Sequence, residues 1–173
     1  WLIDVVNILI GSLDKPGGVM WPLPPAGSPN TQGSPGTGRG ATIPGRRRTR
    51  VRGLPSILGE FPAAALAEEI DTEGPDGTRV RALITVAGNP VVSTPDSDRL
   101  ERALGTLDLL ISLDAYVTET SRHADVILPA SAFPEKDGSF TNTDRTVQMG
   151  RQAVPPPGDA RQDLWIIQEL ARR

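Results

Sequence analysis

The chain has 173 residues, of which 18 are Gly and 17 are Pro, well above the roughly 12% that these two make up in average proteins. It has no cysteine and one histidine, which excludes a disulfide framework, a Cys-ligated zinc, an iron–sulfur cluster held by this chain alone, a thiol nucleophile and a multi-His metal site. A formal net charge of -3 argues against nucleic acid as the main partner, and no apolar run reaches the about 18 residues that a membrane span needs.

The hydrophobic content of 38% and aromatic content of 4% are low, yet the length suffices for one core. The absence of cysteine fits a reducing compartment, and a cytoplasmic location is expected.

Apolar residues at 2, 5, 6, 9 and 10 follow helical spacing, with Gly11 as the stop. The opening has no basic stretch or cleavage pattern, so no secretory signal is expected. The other end, Leu164 to Arg173, also reads as a helix, with Asp159 as candidate N-cap. A chain that starts and stops inside helices is expected to be an interior piece of something longer.

Three stretches divide it: a helical entry segment at 1–21, a Pro/Gly/Arg-rich loop at 22–53, and an α/β domain at 54–173. The loop ends in Arg46-Arg47-Arg48-Thr49-Arg50-Val51-Arg52. That run reads either as a phosphate or nucleic-acid patch or as a solvated or inter-domain charge run, and the acidic remainder favours the second.

Phe61 to Ile70 has the pattern of a short amphipathic helix, and Val80 to Ala87 that of an apolar strand running into Gly88-Asn89-Pro90. Thr94 is placed as N-cap with Pro95 at N1 of a helix reaching Leu104. Leu107 to Leu113 is a second buried strand delivering Asp114 at its end; Thr118 caps a short helical turn; Asp125 to Pro129 is a third strand. Strand and helix in alternation predict a parallel, Rossmann-like α/β sheet. Ligands of such sheets bind beyond the carboxyl ends of the strands, here Gly88-Asn89, Asp114 and Pro129. Residues 135–142 read as a polar turn and Thr146 to Met149 as an exposed strand.

Five segments occur in order: Gly88-Asn89-Pro90, Asp114 to Thr120 (DAYVTET), Ala124 to Pro129 (ADVILP), Glu135 to Arg145 (EKDGSFTNTDR) and Pro157 to Trp165 (PGDARQDLW). With Asn7-Ile8-Leu9, Gly11 and Pro16-Gly17-Gly18, they resemble the molybdopterin oxidoreductases of the dimethyl sulfoxide reductase superfamily, and within it the formate dehydrogenase large subunit. Ser139 stands where that family commonly has threonine, and the 22–53 loop departs from the formate dehydrogenase pattern.

The resemblance implies a piece of a larger enzyme carrying molybdenum or tungsten on two molybdopterin guanine dinucleotides, with a 4Fe-4S cluster in the missing N-terminal part. The piece would form a wall of the cofactor pocket in a parent that oxidises formate, and would itself be inactive. A nitrate reductase or a relative of unassigned substrate is the alternative. Another is a silent structural module related to the large iron–sulfur subunit of NADH dehydrogenase. The partners implied are the guanine dinucleotide, the missing domains of the same chain and electron-transfer subunits, with neither nucleic acid nor a membrane span.

Residue by residue, the resemblance puts cofactor contacts at Asn89, Leu113, Asp114, Thr118, Lys136 and Asp163, and no catalytic or metal-ligating residue in this chain. Asp114 and Asp163 would accept from guanine N–H groups or ribose hydroxyls, and Lys136 would meet a phosphate or a ring oxygen. Asp163 also suits a helix first turn without any ligand. Asp125 reads as a structural hydrogen-bond partner, His123 as a helix-end residue, Arg145 as a salt-bridging strand residue, and Trp1, Trp21 and Trp165 as packing surface.

Overall fold

The computed structural model describes residues 2–13, 15–19, 47–56, 60–142 and 146–173. Most of the Pro/Gly loop, Trp1, Trp21, Arg46 and Arg145 lie outside them. The architecture is mixed α/β. Its centre is a parallel sheet in the order β1 (Ala82–Val86), β2 (Leu109–Asp114), β3 (Val126–Pro129). Leu83 pairs with Leu110, Val86 with Leu113, and Asp114 with Pro129, so the carboxyl ends form one rim.

Period-two alternation sends Leu83 and Leu110 to one face and Leu113 to the other. The first face packs under α2 (Leu66–Asp71), α3 (Pro90–Ser93) and α4 (Ser97–Leu104), around Ile70, Val91, Leu100, Ala103 and Leu104. A 3-10 turn at Ala63–Ala65 leads into α2. On the other face Leu113 and Ala130 pack against Ile166 of α5 (Asp163–Arg172). Central β2 is thus covered twice, while Ile84 and Val86 of β1 stay about half exposed (54% and 45%). Buried hydroxyls of Thr85 and Ser112 satisfy each other across the first face at 3.0 Å. At the start of the chain, α1 (Leu2–Leu9) buries no residue and ends, as its spacing predicts, where Gly11 turns left-handed at φ 70°.

Several local expectations are corrected. Thr94 is not a helix N-cap: it closes α3, its hydroxyl donating to the Pro90 carbonyl at 2.8 Å. The cap of α4 is Asp96, left-handed at φ 59°, whose carboxylate accepts from the Arg99 N–H. The β2–β3 crossover, by contrast, holds the short helical turn expected there, a 3-10 turn at Ser121–His123. Asp159 does not cap α5, which begins after Gln162, because Arg161 is first held in a parallel bridge to Ala130. The polar stretch after Glu135 forms a strand, β4 (Gly138–Thr141), antiparallel to the expected exposed strand β5 (Val147–Gly150).

Within the described part of the arginine run, Arg50 and Arg52 form an ion-paired clasp. Arg50 pairs with Glu69 at 3.2 Å and Arg52 with Glu68 at 2.6 Å, tying the 47–53 turn to α2. Glu69 also accepts the main-chain N–H groups of Arg50 and Val51. These charges are committed to the fold.

Candidate functional site

Asp114 ends the central strand, where nothing of its own sheet lies beyond it. Its Oδ1 accepts from the N–H groups of Ala115 (2.8 Å) and Tyr116 (3.4 Å), while Oδ2 makes no bond to a described residue. The Asp114 carbonyl accepts from Ala130 N–H, and Ala130 is bridged to Arg161. Two residues further on, Asp163 opens α5 and forms an ion pair with Lys136. Main-chain bonds across the rim thus bring Asp114 and the start of α5 to one end of the sheet, and the ion pair draws Lys136 there with Asp163. The Lys136 and Asp163 side chains are about one quarter exposed (28% and 24%), so the pair remains accessible.

The other expected contacts differ from these. Leu113 is fully buried, its carbonyl accepts the Ala87 N–H, and its side chain offers nothing to a ligand. Thr118 shapes its own turn: its hydroxyl receives the Ser121 N–H at 3.2 Å, while its N–H donates to Ser121 Oγ at 2.6 Å. Asn89 is heavily engaged. Its Oδ1 accepts from the Thr120 hydroxyl (2.7 Å) and N–H (3.2 Å), and its Nδ2 donates to Glu119 at 2.6 Å. That last bond, before any other effect, holds the Glu119 carboxyl below the usual glutamate range.

Asp125 acts structurally, as its position before an apolar strand suggests: Oδ2 accepts the Leu110 N–H at 2.7 Å. His123 lies 3.4 Å from Glu101 of α4, beside Arg122, which pairs with the same carboxylate. Trp165 is half exposed, with the Arg161 guanidinium 6.0 Å from its ring centroid. Beside Asp114 a crevice of about 220 Å³ opens between Ala115, Tyr116, Pro129, Glu135, Pro157 and Asp159. Ser131, one residue past Ala130, has the only buried side-chain polar atom without a partner among the described residues.

A family model described as "Molybdopterin oxidoreductase" matches residues 28–173. The chain belongs to the molybdopterin oxidoreductase family. It is 48% identical over 97 residues to the F420-dependent formate dehydrogenase subunit alpha of Methanocaldococcus jannaschii, covering 56% of this chain and 14% of that one. It is 35% identical over 181 residues to a nitrate reductase of Synechocystis, covering 97% of this chain and 25% of the relative. Among solved structures it resembles acetylene hydratase from Pelobacter acetylenicus, with a TM-score of 0.57 and 27% identity over 64% of this chain and 15% of that one. The chain therefore spans a quarter or less of the relatives it matches.

Membership of the molybdopterin oxidoreductases implies a molybdopterin cofactor with molybdenum or tungsten. No group of three or more His, Cys, Asp or Glu among the described residues is arranged to hold a metal. The rim residues fit the organic part of such a cofactor instead. Among the described residues, Asp114 keeps one acceptor oxygen without a partner, and the Lys136 ammonium keeps donors beyond the one spent on Asp163. The unpartnered Ser131 hydroxyl adds a polar group at the same edge. No helix of the described residues is long and apolar enough to cross a membrane.

Sequence reasoning passed over Thr120, whose hydroxyl donates to Asn89 and accepts from the Val91 N–H while fully buried. Its only signal was membership of the Thr118-Glu119-Thr120 triplet. A buried threonine and a solvated one look alike until the partner 31 residues away is known.

Proposed function

We propose that this chain forms one wall of a molybdopterin guanine dinucleotide pocket in a larger oxidoreductase, and that the parent oxidises formate to carbon dioxide. The observation supporting this most directly is the main-chain link from Asp114 through Ala130 and Arg161 towards Asp163, which pairs with Lys136, at the carboxyl rim of a parallel sheet, where dinucleotides bind in such folds. The free oxygen of Asp114 accepts from guanine N–H groups or ribose hydroxyls. Lys136 meets a phosphate or ring oxygen, and Asp163 orients that ammonium while accepting from the ligand through its remaining lone pairs. Asn89 and Thr118 line the edge of the same rim.

When bound, the metal and its pterins supply the redox chemistry; the chain's part is binding and orientation. A 4Fe-4S cluster, the metal ligand and contacts to electron-transfer subunits belong to parts of a cytoplasmic parent beyond this chain. One wall does not make a pocket, so the 173-residue chain is inactive alone. Formate as substrate draws on the likeness to the Methanocaldococcus protein, and the likeness to the Synechocystis protein, lower in identity but covering 97% of this chain, favours nitrate as a second reading.

The test is metal, pterin and guanine nucleotide analysis of the full-length parent. One of molybdenum or tungsten with guanine nucleotide is expected, and absence of both metals removes the proposal. A viologen-coupled assay with formate and nitrate side by side separates the substrates.

A further inference from the structure

We infer that Thr120 is a positioning residue for the cofactor rim, pinning together the two loops that flank Asp114; this rests on the reading of the rim as a dinucleotide wall. One loop follows β1 and runs through Ala87, Gly88 and Asn89 into α3; the other follows β2 and runs from Ala115 to Thr120. The Thr120 hydroxyl is the joint. It donates to Asn89 Oδ1 at 2.7 Å and accepts the Val91 N–H at 3.0 Å, so one oxygen holds both the side chain and the main chain of the first loop. The Thr120 N–H adds a second bond to Asn89 Oδ1, and Glu119 takes the amide N–H on the far side.

Thr120 and Val91 are both buried, so the Val91 N–H has no water to turn to if the hydroxyl is lost. The pinned loop also contains Ala87, a non-glycine residue at φ 49° whose N–H reaches the Leu113 carbonyl at 2.8 Å. A left-handed alanine persists only where its surroundings over-determine it. On one side of Ala87 that is the bond to β2, and on the other it is the Thr120 joint. Asn89, with both ends of its amide occupied, serves the rim through this joint as much as by touching a ligand.

The experiment compares Thr120→Val and Thr120→Ser in the full-length parent. It reads guanine nucleotide retained per folded chain, and hydrogen exchange at the Val91 amide. Valine keeps the shape and removes the hydroxyl; serine keeps the hydroxyl. Valine is expected to lower retained nucleotide by roughly three- to tenfold and to speed exchange at Val91, with serine close to wild type. Wild-type retention in the valine variant, or equal losses in both, overturns the inference. A wild-type parent without guanine nucleotide instead overturns the functional reading, and the positioning role with it.

Should the valine variant not fold, Asn89→Asp keeps the acceptor for Thr120 but sets a carboxylate against Glu119. Retention relative to wild type should then rise as the pH falls and the two carboxyls share a proton; a flat profile overturns the inference.

Discussion

Lys136 and Asp163 form an ion pair across 27 residues of sequence, joining the turn before β4 to the first turn of α5. A partly exposed pair of this kind contributes about 1 kcal/mol or less to stability. The proposed cofactor wall gives it a second use. Lys136→Ala and Asp163→Asn should each lower cofactor retention in the parent while shifting its melting temperature little. The double exchange Lys136→Asp with Asp163→Lys restores attraction but reverses what each position offers a ligand, so retention should stay low. Recovery in the exchanged protein would make the pair purely structural.

What was legible in the sequence followed short-range physics. Apolar runs flanked by turn residues announce β1, β2 and β3, and the apolar run Leu107 to Leu113 puts Asp114 at a strand end. What was hidden depended on distant partners. Gly138 to Thr141 is polar and looks like a turn until β5 pairs with it. Asp159 fails as the cap of α5 because Arg161 is occupied by Ala130, 31 residues back. The engagement of Asn89 with Thr120 is invisible without the fold. Asp96 was overlooked as a cap because Thr94-Pro95 imitates the usual start, whereas only backbone geometry shows the left-handed aspartate.

Asp125 accepts the Leu110 N–H from the neighbouring strand, near the amino-terminal end of the sheet and away from the rim. Asp125→Ala should therefore destabilise the fold by about 1–3 kcal/mol, the range for leaving a main-chain donor unmet. Chemical denaturation measures this. Cofactor retained per folded parent molecule should be unchanged, in contrast to Asp114→Ala, which should lower retention with a smaller effect on unfolding.

Ala87 carries the opposite expectation. At φ 49° its Cβ is strained, and glycine adopts this conformation freely. Ala87→Gly should raise stability by about 1 kcal/mol, the left-handed penalty less the added freedom of the unfolded chain. Thermal unfolding checks the sign. The same change loosens the rim, so retained cofactor should not rise in step with stability.

Glu119 gives the pH dependence of the joint. Its carboxyl is held below the ordinary glutamate value, chiefly by the Asn89 amide N–H, so the folded state favours the ionised form. For a depressed acid, this stabilisation is present in full above the unfolded-state value. It is lost as the pH falls through the lower folded-state value. The window is therefore the acid side of the ordinary glutamate range, with no contribution to a change at neutral pH. Glu119→Gln removes the titration, and the acid limb of its stability curve should be shallower than that of wild type. Glu101 is depressed in the same direction by Arg122 and then His123, so Glu119→Gln should leave part of the limb in place. Adding Glu101→Gln should flatten it further. A limb unchanged by the first substitution would show that the Asn89–Glu119 bond does not survive in solution.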